Sequence, residues 1–214
     1  MTSALHDARV RRVLEALHAE SAIVDPPLLA RAEGKEDRDR TPLLDQAFIG
    51  VSPEAGRFLY ALVRGCAPGT AVEFGTSFGI STIYMAAAVR DRGTGVVITT
   101  ERHAGKAAMA RQHIGEAGLL DVVDLRVGDA LESLKNLTPD VSVVFLDGWK
   151  DLYLPVLHLI EPALLPGALI AADDLVLFPE VLAPYLAYVR QPANGYVSID
   201  IPIGDAIELS ARAR

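Results

Sequence analysis

The sequence predicts an α/β fold in which a mostly parallel sheet carries helices on both of its faces. Short apolar segments alternate with segments of helical spacing from residue 71 to residue 172, a pattern typical of strands that are joined by helical crossovers. Beyond residue 195, two segments of alternating polarity are joined by a short loop. These two segments predict an antiparallel hairpin at the edge of the sheet.

Each element is placed by its own pattern of apolar residues and turn residues. The predicted strands are residues 71–74, 95–100, 122–127, 141–146 and 168–172, followed by residues 196–201 and 206–211 of the hairpin. The predicted helices among them are residues 81–90, 104–117, 130–137, 152–165 and 181–189. Pro166 and Gly167 are expected to end the fourth of these helices, because neither residue readily continues one.

Residues 1–50 have a different pattern, which we interpret as an N-terminal helical segment at the substrate mouth or in a dimer contact. Residues 5–17 have helical apolar spacing. The mixed-charge residues 31–40 are typical of a solvated helix end or a loop. A further helix is predicted to begin at Ser52 and Pro53, because serine is a good N-cap and proline fits the first helical position.

The composition favours a compact protein and disfavours contact with nucleic acid or membrane. The chain has 214 residues, 50% of them hydrophobic, and a formal net charge of −8, so its surface repels phosphate backbones. No apolar stretch approaches the roughly 20 residues that a membrane-spanning helix needs. The N-terminus has no apolar signal-peptide region, and Cys66 is the only cysteine. We therefore expect a cytoplasmic location and no disulfide.

A glycine turn follows the first predicted strand and is the first candidate for a ligand site. It reads Glu73-Phe74-Gly75-Thr76-Ser77-Phe78-Gly79, and its glycines allow the backbone to approach a ligand closely. Ser81 begins the next helix, where free N–H groups favour a carboxylate. Glu73, Gly75, Thr76 and Ser81 are therefore candidate cofactor-binding residues. The turn lacks the G-x-G-x-x-G spacing, which disfavours a nicotinamide-binding Rossmann domain without excluding it.

Two acidic side chains follow the next two predicted strands. Glu101 suits two ribose hydroxyls, because a carboxylate accepts two hydrogen bonds. Asp129, which is followed by Ala130, could accept a hydrogen bond from an adenine amine. Taken alone, Glu101 is explained equally well as a solvated strand end. Ligands of open parallel sheets bind outside the carboxyl ends of the strands, so the two acids and the glycine turn together predict a nucleoside site.

Three carboxylates follow the fourth and fifth predicted strands, and they predict a catalytic metal site. Asp147 follows the fourth strand, and Asp173 and Asp174 follow the fifth. Converging carboxylates repel one another unless a cation is present, and oxygen ligands select a hard ion such as Mg²⁺. Such an ion could hold a diol and lower the pKa of its hydroxyl. Lys150 could then act as the general base, its own pKa being lowered by the ion and by partial burial.

Each of these residues also has an ordinary explanation. Asp173 and Asp174 could cap the segment that follows them, and Lys150 could lie in a surface ion pair. Trp149, the only tryptophan of the chain, fits core packing and a wall for substrate or adenine about equally well.

Taken together, these motifs resemble those of the S-adenosylmethionine-dependent O-methyltransferases of the catechol and caffeoyl-CoA type over residues 49–211. VSPEAGRFLYALV resembles the helix before the cofactor turn of that family, and VEFGTSFGIST its first motif. LDGWKDLYLP resembles the metal-and-base segment, ALIAADDL the second metal segment, and PIGDAIELS the closing hairpin. The resemblance implies a Rossmann-like class I methyltransferase over residues 51–214, with a seven-stranded mixed sheet whose last strand is antiparallel, and it suggests a homodimer.

The resemblance also implies roles for individual residues. It implies that the Mg²⁺ ligands are Asp147, Asp173 and Asp174, that Lys150 is the general base, and that the cofactor, S-adenosylmethionine, is lined by Val51, Glu73, Gly75, Thr76, Ser81, Glu101, Asp129, Ala130 and Asp147.

Two positions depart from the family pattern. Asp174 stands where the family usually has asparagine, which adds a negative charge to the predicted metal site. Ile199 stands near a glutamate that helps the mammalian catechol enzymes hold catechol, and the neighbouring Asp200 would point to the other face of its strand.

Three functions are compatible with these patterns. The leading one is a Mg²⁺-dependent O-methyltransferase that acts on a small molecule with vicinal oxygens; the apolar residues 175–184 at the expected mouth indicate an aromatic acceptor. The second keeps the cofactor without the metal, so that Asp173 or Asp174 is the base for an amine or a single hydroxyl. The third is a protein that binds the cofactor but transfers no methyl group; Lys150 together with three acids argues against it.

Overall fold

The computed structural model describes residues 3–213, apart from the side chain of Asp37, and within this range seven strands form one mixed sheet. The strands are β1 Thr70–Phe74, β2 Val97–Glu101, β3 Val123–Val127, β4 Val141–Leu146, β5 Leu164–Ala172, β6 Tyr196–Ile201 and β7 Ile207–Arg212. Their order is β3-β2-β1-β4-β5-β7-β6. Strands β1 to β5 run parallel, and β7 is antiparallel to both β5 and β6. The expected hairpin at the sheet edge is confirmed.

The α-helices of the described chain include the predicted ones in their predicted order, and one more at Asp37–Leu44 that overlaps residues 31–40, where the sequence predicts a solvated helix end or a loop. They are α1 Ala8–Ala32, α2 Asp37–Leu44, α3 Pro53–Gly65, α4 Ile80–Arg92, α5 Ala104–Glu116, α6 Ala130–Ser133, α7 Tyr153–Ile160 and α8 Pro179–Val189. The predicted start of α3 is confirmed, since the Ser52 hydroxyl accepts a hydrogen bond from the backbone N of Ala55 at 3.2 Å. None of the helices within residues 3–213 is both long enough and apolar enough to cross a membrane.

One predicted helix end is wrong. Helix α7 stops at Ile160, and β5 already begins at Leu164, so Pro166 and Gly167 lie inside a strand. The register between β4 and β5 shifts at this point, because Val141 pairs with Leu164 whereas Val143 pairs with Leu169. Proline and glycine are tolerated in a strand where the ladder is interrupted in this way.

Alternate residues of the sheet face two apolar cores, one on each side. Val143 and Phe145 of β4 pack with helices α1, α3, α4 and α5, whereas Val144 and Leu146 pack with α6, α7 and α8. The prediction of helices on both faces is therefore confirmed. The N-terminal segment belongs to the first core, to which α1 contributes the predicted apolar face of Val10, Val13, Leu14 and Leu17.

The strand register brings the ends of β1, β4 and β5 to one level. Phe74, the last residue of β1, pairs with Leu146, the last residue of β4. The backbone N of Asp147 donates to the carbonyl of Phe74 at 2.9 Å, and the backbone N of Asp173 donates to the carbonyl of Leu146 at 3.1 Å. The sheet itself thus places Asp147 and Asp173 side by side, next to the turn that follows β1.

Asp25 of α1 fixes the chain segment that leads from α2 into α3. Its side chain is buried, with 8% of the residue exposed, and its carboxylate accepts hydrogen bonds from the backbone N of Phe48 at 2.6 Å and of Ile49 at 2.9 Å. Ile49 has a φ of 46°, a left-handed conformation that a β-branched residue rarely adopts. The two hydrogen bonds to Asp25 compensate this strain.

Replacing Asp25 is expected to destabilise the protein, because two backbone N–H groups lose a charged acceptor. Asp25→Ala should lower the free energy of unfolding by about 3 kcal/mol, measured by urea denaturation. Glu15→Ala, an exposed change on the same helix, is the control and should stay within about 0.5 kcal/mol of the parent. Equal effects of the two changes would contradict this account of Asp25.

Candidate functional site

Glycine is required in the turn after β1, because this turn packs closely against the loop that follows β4. Gly75 has a φ of 101° and Gly79 a φ of 92°, values that favour glycine strongly. A Cβ atom on Gly75 would lie 2.7 Å from the carbonyl oxygen of Asp147 and 2.9 Å from the backbone N of Gly148. The absence of a side chain at Gly75 therefore allows the turn and the loop after β4 to touch.

Two of the predicted cofactor residues lie beneath this turn. Glu73 is fully buried, and its carboxylate accepts hydrogen bonds from the hydroxyls of Thr82 at 2.5 Å and Thr99 at 2.6 Å. Burial raises the pKa of the Glu73 carboxyl above its ordinary value. The hydroxyl of Thr76 is also buried and bonds to Thr99. Both side chains support the turn from the inside, so a cofactor contact by Thr76 would have to come from its backbone.

Glu101, at the end of β2, braces the turn from the outside. One of its carboxylate oxygens accepts a hydrogen bond from the backbone N of Ser77 at 2.8 Å, and the other accepts one from the backbone N of His103 at 2.8 Å. A carboxylate has about four acceptor positions, so both oxygens keep capacity for two ribose hydroxyls. The structure places Glu101 beside the turn, as the sequence predicts.

The remaining predicted cofactor residues lie around the same end of the sheet. Asp129 caps α6, because its carboxylate accepts a hydrogen bond from the backbone N of Leu131 at 2.9 Å, and Ala130 behind it is buried. Ser81 is buried in the first turn of α4, and Val51 is buried just before α3.

Lys150 lies between two of the three predicted metal ligands. Its Nζ atom is 2.5 Å from Oδ2 of Asp174 and 3.3 Å from Oδ1 of Asp147. The same atom donates to the hydroxyl of Tyr153 at 2.9 Å. Asp173, 7% exposed, accepts a hydrogen bond from the backbone N of Asp174 at 2.9 Å. The structure thus brings together all four residues that the sequence predicts for catalysis.

This packing shifts the pKa values of Asp147, Asp173 and Lys150. Burial, reinforced by the charges of Asp173 and Asp174, raises the pKa of Asp147 well above its ordinary value against the opposing effect of Lys150. Burial and the neighbouring Asp174 raise the pKa of Asp173 to about 6. Burial alone would lower the pKa of Lys150, but the charges of Asp147 and Asp174 outweigh it and raise that pKa. The expected lowering of the Lys150 pKa depends on a bound ion, and without one the two carboxylates raise that pKa.

Asp174 has a backbone conformation that explains which residues fit at this position. Its φ is 70°, in the left-handed region that asparagine and aspartate enter more readily than other residues with a side chain. Aspartate and the asparagine usual in the resembling family therefore satisfy the same backbone constraint. Aspartate adds a charge, and in this structure that charge faces Lys150.

The three carboxylates carry the oxygen ligands that a hard divalent cation prefers, but in this structure two of them pair with Lys150. Within residues 3–213 no three or more histidine, cysteine or acidic side chains form a group that could hold a metal ion. Carboxylate oxygens are nevertheless the ligands that Mg²⁺ prefers. Burial, followed by the repulsion among Asp147, Asp173 and Asp174, raises the pKa values of Asp147 and Asp173. A bound cation would relieve the repulsion.

Two residues next to the cluster were not predicted as part of the site. Tyr153 is fully buried, with its ring edge-on to that of Phe74 at a centroid distance of 6.3 Å, and it holds the Lys150 ammonium from below. Tyr153 follows Lys150 by three residues, a spacing that places both side chains on one side of a helical turn and could have indicated the contact between them. Arg102 lies over the partly exposed Trp149, with its guanidinium carbon 5.5 Å from the ring centroid. Trp149 therefore lies beside the residue that follows Glu101 and is not part of either apolar core.

A sheet of this order, with a glycine turn after β1 and acidic residues at the ends of β2, β4 and β5, defines the Rossmann-like methyltransferase fold. The family model described as a methyltransferase domain matches residues 72–175. A catechol O-methyltransferase of Niastella koreensis is 35% identical over 138 residues, which cover 63% of this chain and 62% of that protein. Catechol O-methyltransferase B of Danio rerio is 31% identical over 89% of this chain and 71% of that protein.

A solved structure has the same fold. The O-methyltransferase of Bacillus cereus in complex with S-adenosylhomocysteine superposes with a TM-score of 0.67 over 94% of this chain and 90% of that one, at 22% identity. This chain belongs to the S-adenosylmethionine-dependent O-methyltransferases of the catechol and caffeoyl-CoA type. It spans less than two thirds of the Niastella koreensis protein that it matches.

The close approach at Gly75 gives a test of the site architecture. Gly75→Ala should lower the free energy of unfolding by at least about 3 kcal/mol, because the new methyl group meets backbone atoms that cannot move aside. Gly128→Ala is the matched control, since Gly128 has a φ of 129° but open space around its missing Cβ. Urea denaturation should show a clearly smaller loss for the control, and equal losses would mean that backbone conformation alone requires Gly75.

Proposed function

We propose that this protein transfers the methyl group of S-adenosylmethionine to a hydroxyl of a small aromatic molecule with vicinal oxygens. In this proposal a divalent cation orients the acceptor, and Lys150 is the general base. The observation that carries the proposal is the position of Lys150, between Asp147 and Asp174 and beside the glycine turn. Membership of the catechol and caffeoyl-CoA family supports the same chemistry.

The cofactor half of the site would be formed by the turn and the acids around it. The N-terminal turn of α4, with Ser81, offers N–H groups to the carboxylate of the methionine moiety. Glu101 would accept hydrogen bonds from the ribose hydroxyls, and Asp129 one from the adenine amine. Val51 and the loop at Gly75 would complete the walls of the cofactor site.

The metal would be held by Asp147, Asp173 and Asp174. When bound, the ion would neutralise these carboxylates, fix two vicinal oxygens of the acceptor and lower the pKa of the hydroxyl to be methylated. Carboxylates engaged in this way would no longer retain the proton of Lys150. Burial, which by itself lowers the pKa of Lys150, would then dominate, and the lysine could accept a proton near neutral pH.

The reaction itself would need one proton transfer and one displacement. Lys150 would take the proton of the acceptor hydroxyl, whose oxygen would then accept the methyl group of the cofactor. The carbon–sulfur bond would break with its electron pair on sulfur, which would give S-adenosylhomocysteine and a methyl ether. The proton leaves on the ammonium of Lys150, whose position is fixed by the hydrogen bond to Tyr153.

The surface next to the carboxylates favours an aromatic acceptor. Val176 and Leu177, two and three residues after Asp174, are 68% and 55% exposed, and Val181 at the start of α8 is also exposed. Apolar side chains beside a charged cluster suit a ring that presents its oxygens to the charges. Ile199 is exposed on the edge strand β6 and supplies no carboxylate, so the acceptor would be held by the metal and this apolar surface.

A metal-independent methyl transfer is the second candidate, and one observation favours it. The pKa of Asp173 is raised to about 6 by burial and by Asp174, which brings this carboxyl close to the range of a general base at neutral pH. Asp173 could then deprotonate an amine or a single hydroxyl without a cation. Excess EDTA distinguishes the two candidates, because only the metal-dependent one loses turnover.

Lys150→Met tests the role of the base. We expect kcat for a catechol or caffeoyl-type acceptor to fall by about 10²- to 10⁴-fold, the usual contribution of general base catalysis, while the affinity for S-adenosylhomocysteine changes little. Lys135→Met is the control, because Lys135 is half-exposed and pairs only with Glu132 on the surface. Full activity of Lys150→Met would contradict the proposed base, and full activity of the parent protein in EDTA would contradict the proposed role of the metal. Either result would favour the metal-independent candidate.

The raised pKa of Asp173 predicts a specific dependence of stability on pH. Since its pKa is about 6 in the folded protein against an ordinary value of 3.8, the folded state binds this proton more tightly than the unfolded state. Stability is then lost as pH rises from about 4 to 6. In EDTA, the parent should lose about 2 kcal/mol relative to Asp173→Asn between pH 4.5 and 6.5, measured by urea denaturation. A difference that does not vary with pH would contradict the shift.

A further inference from the structure

Lys106 is a buried ammonium outside the predicted catalytic cluster. It lies on α5 and is 8% exposed. Its Nζ atom donates to the carbonyl of Leu44 at 2.9 Å and to the hydroxyl oxygen of Ser77 at 3.3 Å, and it lies 5.4 Å from the centroid of the Phe78 ring. Burying a lysine against a carbonyl, a hydroxyl and a ring costs free energy.

The two hydrogen bonds join distant parts of the chain. Leu44 is the last residue of α2, where carbonyls lack partners within the helix and a positive charge is favoured by the helix dipole. Ser77 belongs to the glycine turn, has a φ of 48° and donates its own hydroxyl hydrogen to the carbonyl of Phe48 at 2.5 Å. Lys106 therefore connects the end of the N-terminal segment to the turn.

Two further contacts hold the same segment against the turn. The rings of Phe48 and Phe78 are stacked at a centroid distance of 4.3 Å, and Asp25 fixes the backbone of Phe48 and Ile49. Residues 44–49 thus lie along the turn and lead directly to Val51, which is expected to line the cofactor. On the opposite side, the backbone N of Ser77 donates to Glu101, the expected ribose ligand.

We propose that Lys106 is a positioning residue that couples the docking of residues 44–49 to the binding of S-adenosylmethionine. The inference rests on the proposed cofactor site. An ammonium bonded to both Leu44 and Ser77 keeps the turn in its left-handed conformation only while the segment is docked. Because such coupling is reciprocal, a cofactor on the turn stabilises the docked segment, and undocking loosens Ser77 and, through it, Glu101.

Lys106→Met is the primary test, with Lys135→Met as the matched surface control. Calorimetric titration with S-adenosylhomocysteine should show about ten-fold weaker binding for Lys106→Met, within the range of ordinary coupling energies, and an unchanged Kd for the control. Cleavage by glutamyl endopeptidase after Glu33 and Glu36, which lie between α1 and α2, reports undocking. S-adenosylhomocysteine should slow this cleavage in the parent and in the control, but not in Lys106→Met.

Ser77→Ala separates coupling from a merely structural role. It keeps the lysine, removes one of its two partners, and should also weaken S-adenosylhomocysteine binding. The Lys106→Met and Ser77→Ala effects on Kd should combine to less than their sum, whereas a structural role would lower Tm and leave Kd unchanged. If Lys106→Met fails to fold, the Kd and the protection of Ser77→Ala decide the question.

The outcomes separate this inference from the proposed function. A parent protein that does not bind S-adenosylhomocysteine at all would overturn the proposed function, and the coupling with it. A parent that binds, together with a Lys106→Met variant that binds within two-fold and is protected equally, would overturn the coupling alone.

Discussion

The balance of charge at the ends of β4 and β5 is the constraint on which the site depends. The strand register brings Asp147 and Asp173 together. The backbone N of Asp147 is hydrogen-bonded to the last residue of β1, and the backbone N of Asp173 to the last residue of β4. Asp174 adds a third negative charge to the same place. Such a group is stable only with protons or with a cation, and in the folded chain Lys150 supplies the positive charge. In the proposed function, a divalent ion would meet the same requirement.

The two halves of the site are not independent. Gly75 of the glycine turn packs closely against the backbone of Asp147 and Gly148, so the turn cannot shift without moving the loop that carries Asp147 and Lys150. On its other side the turn is hydrogen-bonded to Glu101 and to the segment before α3. In-line methyl transfer depends on placing two reacting atoms within a narrow tolerance. Direct backbone contact between the two loops is a means to that precision.

The fold could be predicted because its signals are local. Strand β4, for instance, is continuously apolar and has the predicted bounds, 141–146. The end of α7 was misplaced because Leu164 and Leu165 fit an apolar helix as well as a strand, and only pairing with Val141 decides for the strand. The residues Asp25 and Lys106 were not predicted, because their partners lie 23 and 62 positions away in the sequence. No spacing rule connects such positions.

Two buried lysines, Lys106 and Lys150, show that neighbouring charges decide the direction in which a pKa is shifted. Burial by itself would lower the pKa of both Lys106 and Lys150. With all neighbouring groups included, the pKa of Lys106 is lowered and that of Lys150 is raised. The difference lies in the carboxylates, which contact Lys150 directly and act on Lys106 only from a distance. A lysine held by carboxylates is a poor base until something else takes up their charge. In the proposed mechanism the cation and the lysine base therefore depend on each other, because two of the proposed metal ligands, Asp147 and Asp174, are the counter-ions of Lys150.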